Sequence, residues 1–175
     1  MKDNFSIQAD EYAIYRPRYP QELFDFLLSN TKNNDTAWDC ATGNGQVAAE
    51  LAKHFKNVFA TDISEKQLAN AIEKENIKYK KEAAEKTFFA DNYFDLITVA
   101  QALHWFNFEK FYKELIRVAK PGALFAAITY TICKTNDETD NVLRHFYHDL
   151  TGPYWDAERK YIDEQYKPAL IDLRV

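Results

Sequence analysis

A glycine-bearing turn joins an apolar strand pattern to an amphipathic helix pattern over residues 38–46, WDCATGNGQ. Gly43 and Gly45 lack a Cβ atom, so they can take positive φ and let backbone approach a ligand closely. A helix that begins at such a turn presents unpaired N–H groups there. The segment predicts a loop that binds a nucleotide-like cofactor, although a G-x-G pattern alone also fits a plain turn before a helix.

An acidic residue, Asp62, closes the next apolar run at residues 58–61. A carboxylate at the carboxyl end of a strand can accept two hydrogen bonds from the vicinal hydroxyls of a ribose. In open α/β sheets, ligands collect beyond these strand ends. The order of strand, loop, helix, strand and acid therefore favours a cofactor site over a structural turn.

Apolar runs alternate with helical patterns along the chain. The helix predicted over 108–119 stops at Pro121-Gly122, where the last strand is expected to follow. Alternation of this kind predicts a doubly wound α/β fold, a parallel sheet in the order 3-2-1-4-5 with helices on both faces. The predicted strands are 36–40, 57–61, 77–82, 94–100 and 123–130.

Composition narrows the function classes. The formal net charge is −5, with 22 basic and 27 acidic side chains, which disfavours a nonspecific nucleic-acid binder. No apolar stretch has the length that crosses a bilayer, and no signal-type segment follows Met1, so a cytoplasmic protein without membrane contact is expected. Cys40 and Cys133 are predicted to be buried free thiols. No metal site is predicted, since His145 and His148 give only a weak i,i+3 signal.

Six motifs share a pattern with one enzyme class. Together they resemble the class I S-adenosylmethionine-dependent methyltransferases, in particular the small-molecule, type 11 branch that includes ubiquinone/menaquinone-type and trans-aconitate-type enzymes. The resemblance covers residues 9–130. The motifs are YxxYRPxYP at 12–20, DxAxGxGQ at 39–46, DIS at 62–64, FDLI at 94–97, QALHWF at 101–106 and RVAKPG at 117–122.

The resemblance implies S-adenosylmethionine as cofactor and S-adenosylhomocysteine as product. Ala41 stands where the family usually has glycine, which would cost about 1 kcal/mol if that position needs positive φ. Ala83 stands where the family often has an acidic residue that contacts the adenine amino group. Backbone N–H groups near Ala84, with Glu85 nearby, are expected to contact adenine instead. The implied cofactor-binding residues are Asp39, Ala41, Gly43, Gly45, Asp62, Ile63, Ala84, Glu85 and Gln101.

Residues outside the loop are expected to handle the acceptor. The N-terminal Tyr15, Arg16 and Tyr19 are predicted to form a lid over the cofactor, where Arg16 could hold a carboxylate; docking of the chain terminus without ligand contact is the alternative. His104 is the candidate catalytic base and Trp105 a candidate substrate contact. Methyl transfer needs little acid–base help, so a structural His104 stays open.

The expected reaction is methyl transfer to a small-molecule acceptor, with a carboxylate such as an aconitate-like acid favoured by the resemblance. A binding module without turnover is the alternative, and a nicotinamide-dependent oxidoreductase is disfavoured because Gln46-Val47-Ala48 lacks the third glycine of G-x-G-x-x-G. The usual C-terminal antiparallel strand pair is expected to be missing, which suggests truncation and an exposed sheet edge for a homodimer. The predicted divisions of this single domain are a lid segment 1–35, a cofactor-binding core 36–135 and a partial helical cap 136–175.

Overall fold

The computed structural model describes residues 18–166 of the chain. Two compact units divide at the end of the last strand, Met1–Ile128 and Thr129–Val175. In the first unit the elements are α1 (Gln21–Ser29), β1 (Thr36–Cys40), α2 (Gln46–Leu51), β2 (Asn57–Asp62), α3 (Glu65–Ala69), β3 (Ile77–Lys81), β4 (Phe94–Ala100), a 3-10 turn (Leu103–Trp105), α4 (Phe108–Val118) and β5 (Ala119–Ile128).

The five strands form one sheet in the order β3-β2-β1-β4-β5, and every pairing is parallel. This confirms the predicted doubly wound α/β fold and its strand order. Asp39 of β1 is in register with Ala60 of β2 and with Thr98 of β4, so β1 is central. β5 lies at one edge of the described sheet, and pairing of two copies through it stays a prediction.

The burial pattern follows from parallel strands covered on both faces. All five residues of β1 are buried, as are the first six of β4. On one face, α1 and α2 bury Phe24, Val47 and Leu51 against β1 and β2. The second face holds an aromatic cluster in which Phe94 stacks on Trp38 with ring centroids 5.8 Å apart. The carboxyl ends of the strands are therefore held in place by a well-packed core on both faces of the sheet.

The boundary between α4 and β5 differs from the prediction. Pro121-Gly122 was expected to end the helix and precede the strand, whereas the helix ends at Val118 and β5 begins at Ala119. Lys120 explains this, because its Nζ lies 2.9 Å from both carboxylate oxygens of the buried Asp95. The register then shifts between Phe94 and Leu96, and Gly122 takes φ +79°. The strand ends at Ile128, two residues before the predicted 130.

The second unit is helical within its described residues. α5 (Asp137–Arg144) continues into a π-helical turn, His145–Leu150. Two 3-10 turns, Gly152–Tyr154 and Ala157–Arg159, lead into α6 (Lys160–Asp163).

One cysteine prediction is wrong. Cys40 is a buried free thiol, as expected for a residue inside β1, but Cys133 is exposed. Cys133 follows Ile128, where the apolar strand has already ended, so its apolar neighbours in sequence do not place it in the sheet.

None of the helices between residues 18 and 166 is long and apolar enough to cross a membrane.

Candidate functional site

The loop between β1 and α2 has the backbone geometry of a close ligand approach. Ala41, Gly43 and Gly45 take φ of 55°, 57° and 81°, all in the left-handed region. Thr42 N donates to Thr61 O at 2.9 Å, which ties the loop to the end of β2. The loop lies at the carboxyl end of β1, between β2 and β4, where the strand order reverses direction. Ligands of doubly wound folds bind at this switch point.

Asp39 organises the loop from below. Its Oδ2 accepts hydrogen bonds from Thr42 Oγ1 at 2.5 Å and from Ala48 N at 3.1 Å, and its Oδ1 accepts one from Thr98 Oγ1 at 2.9 Å. The side chain is buried, and this burial raises its pKa to about 6, with the Asp62 charge adding to the rise and the hydrogen bonds opposing it. Asp39 thus fixes both ends of the turn, and contact with a cofactor stays a prediction.

Asp39 is expected to make stability depend on pH. An acid whose pKa is higher in the folded chain than in the unfolded chain stabilises the fold when protonated, and this contribution is lost as pH rises through about 6. The free energy of unfolding of the parent chain, relative to that of Asp39→Asn, should rise by about 1 kcal/mol from about pH 7 to about pH 5. Urea titrations at both pH values measure it. An equal difference at the two values would contradict the raised pKa.

Asp62 connects the loop to the next crossover. Its Oδ2 accepts a hydrogen bond from Gly43 N at 2.9 Å, and its Oδ1 accepts one from Ser64 N at 2.8 Å. Ser64 in turn caps α3 by accepting a hydrogen bond from Gln67 N. The half-buried Ile63 lies between them. The carboxylate therefore stands at the carboxyl end of β2, against the glycine loop, as the sequence pattern predicts for a ribose contact.

Replacing Ala41 by glycine is expected to stabilise the chain. Ala41 takes φ 55°, a backbone conformation that destabilises a folded chain by roughly 1–2 kcal/mol when the residue has an L side chain. Glycine removes this strain, but its greater freedom in the unfolded chain opposes folding by about 0.4–1 kcal/mol. The net expectation is a gain of about 0.5–1 kcal/mol in the free energy of unfolding, measured by urea titration. Ala48→Gly, in the middle of α2, is the matched control and should destabilise. A loss of stability in Ala41→Gly would contradict the strained loop.

Gln101 follows β4 beside this loop. It takes φ 56°, an uncommon value for a residue other than glycine, and its N donates to Ile128 O at 2.8 Å. Its side-chain Nε2 is buried and finds no hydrogen-bond acceptor among residues 18–166. Strained residues with unsatisfied polar groups concentrate at functional sites, because a ligand can complete their hydrogen bonds.

The segment after β3 carries Ala84 and Glu85. Ala84 is buried, and Glu85 Oε1 accepts a hydrogen bond from Asn107 N at 3.1 Å. Glu85 thereby joins the segment after β3 to the turn before α4. An adenine contact by Ala84 or Glu85 stays a prediction.

His104 and Trp105 lie in the 3-10 turn that follows β4. His104 is buried, with 5% of its surface exposed, and its ring lies 4.6 Å from the Trp105 ring between centroids. Trp105 N donates to Ala102 O at 3.0 Å, which closes the turn. A buried imidazole at this place suits either a catalytic base or a packed structural residue.

Tyr19 forms a wall of a small pocket beside the loop, hereafter the loop pocket, with Ala41, Gly43 and Ala100 among its other lining residues. Its volume is about 30 Å³, which is room for about one water molecule. A cofactor of nucleoside size is larger than this loop pocket. The other two predicted lid residues, Tyr15 and Arg16, lie outside the described residues.

The structure places Asp39 and Asp62 against the loop that contains Ala41, Gly43 and Gly45, since Asp39 accepts hydrogen bonds from Thr42 and Ala48 and Asp62 accepts one from Gly43 N. Sequence reasoning missed Thr42 and Thr98, which donate hydrogen bonds to Asp39, whereas Ser64, whose N donates to Asp62, was part of the DIS motif but was given no role of its own. A signal exists for one of them, since Thr98 lies on β4 at the position paired with Asp39. Parallel strand register could have pointed to it.

The chain is similar to known methyltransferases in sequence and in fold. Residues 38–127 match a family profile described as "Methyltransferase domain". A provisionally named methyltransferase of Dictyostelium discoideum is 38% identical over 168 residues, 94% of this chain and 64% of that protein. The ubiquinone/menaquinone biosynthesis C-methyltransferase of Rickettsia prowazekii is 31% identical over 159 residues, 83% of this chain and 61% of that protein.

A solved structure, a provisionally named type II methyltransferase from Anaeromyxobacter dehalogenans, superposes with a TM-score of 0.80 at 37% identity. The match covers 90% of this chain and 67% of that one. The chain thus spans 64% and 61% of the two curated relatives above.

Proposed function

This chain belongs to the methyltransferase-domain family, whose cofactor is S-adenosylmethionine, and on that premise we propose that it transfers a methyl group from this cofactor to a small-molecule acceptor. The observation that carries the proposal is the hydrogen bond from Gly43 N to Asp62 Oδ2. It places a carboxylate at the end of β2 directly against the loop at the end of β1, in a fold whose ligands bind at those ends.

The residues of the loop fit the cofactor. Asp62 would accept hydrogen bonds from ribose hydroxyls, and the backbone around Gly43 would hold the amino-acid end. Among residues 18–166, a Cβ built on Gly43 would meet only Gln67 Oε1, at the ordinary contact distance of 3.8 Å. Gln101 Nε2 offers a buried donor that lacks a protein acceptor in residues 18–166. When bound, the cofactor supplies a sulfonium-activated methyl group.

The acceptor is proposed to be a small molecule, with a carboxylate favoured. His104 and Trp105 would meet it, since both follow the carboxyl end of β4 on the same side as the loop. His104 would take a proton from the acceptor where its nucleophile is protonated, and Trp105 would pack on its apolar part. Positioning supplies most of the acceleration in such transfers.

The proposal is tested by incubating the chain with S-adenosylmethionine and a panel of small carboxylic acids and other small molecules. Release of S-adenosylhomocysteine that depends on one acceptor would support it. Cofactor binding without release across the panel would favour a binding module. Binding of NADH and not of S-adenosylmethionine would favour an oxidoreductase.

Removal of the imidazole tests the part assigned to His104. In His104→Ala we expect turnover of the acceptor found by the panel to fall about 100-fold, the low end for general-base catalysis, with cofactor affinity within about twofold of the parent. His54→Ala, at an exposed histidine after α2, is the control. Unchanged turnover would contradict a catalytic role for His104. If His104→Ala no longer gave the circular-dichroism spectrum of the folded chain, His104 would instead be a structural residue of the core.

A further inference from the structure

A second cavity lies between α1, α2 and the segment 70–74 that follows α3, and we call it the flank cavity. Its volume is about 580 Å³ and all its lining residues belong to the first compact unit. Cavities of roughly 300–1,000 Å³ are the usual size of small-molecule sites. Tyr19, Asn44 and Gln46 line both this cavity and the loop pocket, so the two are neighbours.

The charge of the flank cavity is positive. Arg18, Lys53 and Lys74 line it, against a single acid, Glu50. Glu50 already forms an ion pair with Lys53. Arg18 and Lys74 are exposed, and neither forms an ion pair with an acid within residues 18–166. A positively lined concave site concentrates anions.

The remaining lining residues of the flank cavity indicate that its ligand has an apolar part and a hydrogen-bond donor. Phe24, Ala49 and Ile72 supply an apolar wall. Gln46 Oε1 is buried and accepts no hydrogen bond from residues 18–166. Buried carbonyl oxygens almost always have a donor partner. A ligand hydroxyl or amine would supply it.

We propose that the flank cavity binds a small hydroxylated organic anion, separately from the cofactor. Lys53 and Lys74 line this cavity and not the loop pocket. S-adenosylmethionine is a poor occupant, since its sulfonium and ammonium groups outnumber its one carboxylate and its net charge is positive. The apolar wall holds the carbon frame, the cations hold the carboxylate or phosphate, and Gln46 accepts from the hydroxyl.

The test is calorimetric titration of the full chain at low salt with two probes, citrate as a carboxylate and glycerol 3-phosphate as a phosphate. At least one is expected to bind with one-to-one stoichiometry and a Kd below about 1 mM. If citrate binds, tricarballylate, which lacks only its hydroxyl, should bind about fivefold more weakly, because Gln46 Oε1 would stay unsatisfied. Excess S-adenosylhomocysteine should leave the anion bound.

Charge variants assign the site. Arg18→Ala combined with Lys74→Ala should weaken anion binding about tenfold, while Glu50→Gln should strengthen it about threefold. Lys113→Ala and Glu109→Gln alter an exposed pair on α4 and should each change affinity less than twofold. Absence of binding by both probes up to about 10 mM, or equal effects of the flank and control variants, would overturn the proposal. Binding of S-adenosylmethionine is measured in a separate titration. Failure of the proposed function is therefore distinguished from failure of anion binding in the flank cavity.

Discussion

Replacing Gly45 by alanine is expected to lower the free energy of unfolding by about 2–3 kcal/mol and to weaken cofactor binding with it. Gly45 takes φ +81°, which costs an L side chain roughly 1–2 kcal/mol. A Cβ there would also stand 2.2 Å from Tyr79 Oη and 3.0 Å from Tyr79 Cζ. The tyrosine ring would have to move and give up the 2.7 Å hydrogen bond that its hydroxyl donates to Ile72 O.

Gly43→Ala is the matched control for this expectation. Gly43 also takes positive φ, +57°, but the nearest atom that its Cβ would meet in the described part of the chain is Gln67 Oε1, at 3.8 Å. Its cost should be about 1 kcal/mol, from backbone strain alone. Adding Tyr79→Phe to Gly45→Ala should recover part of the loss, because the nearest atom is removed. Equal losses in the two glycine variants, measured by urea titration, would contradict close packing at Gly45.

Replacing Asp62 by asparagine is expected to weaken binding of S-adenosylmethionine by about 1–3 kcal/mol, or roughly 10- to 100-fold in Kd. The amide loses the charge that would strengthen hydrogen bonds from ribose hydroxyls. Its NH2 group must also face one of two backbone donors, Gly43 N or Ser64 N, so one present hydrogen bond is lost. The loop geometry and the ligand contact therefore weaken together.

Asp95→Asn controls for the general effect of altering a buried carboxylate. Asp95 is buried like Asp62, accepts hydrogen bonds from Thr36 and pairs with Lys120. It lies at the amino ends of the strands, however, at the edge opposite the loop. Its substitution should lower stability and leave the Kd of the folded chain within about twofold of the parent. Equal loss of affinity in both variants would remove Asp62 from the proposed site.

Much of the fold is readable from the sequence because its signals are local. Alternating apolar runs and helical patterns give the elements, and the right-handed crossover rule orders the strands. The start of β5 was not readable, because it depends on a long-range contact, Lys120 with Asp95. Cys133 was misassigned for a related reason, since apolar neighbours in sequence do not reveal where a strand stops pairing.

In the candidate site, too, some features follow from the local sequence and others depend on the fold. The positive φ of Gly43 and Gly45 follows from residue type, whereas that of Ala41 and Gln101 depends on how β1 and β4 end. The hydrogen bonds of Asp39 were not predicted, because its partner Thr98 is 59 residues away in the chain and is found only through the register of β1 with β4. They explain why an acid in this motif can be structural: it holds the loop that approaches the ligand.

The central claim, that the loop from β1 to α2 together with Asp62 forms a site for S-adenosylmethionine, is tested most directly by calorimetric titration. The full chain is titrated with S-adenosylmethionine, S-adenosylhomocysteine and NADH. We expect saturable one-to-one binding of the first two, weakened in Asp62→Asn, and no binding of NADH. Absence of binding by S-adenosylmethionine and S-adenosylhomocysteine in a folded chain would contradict the claim.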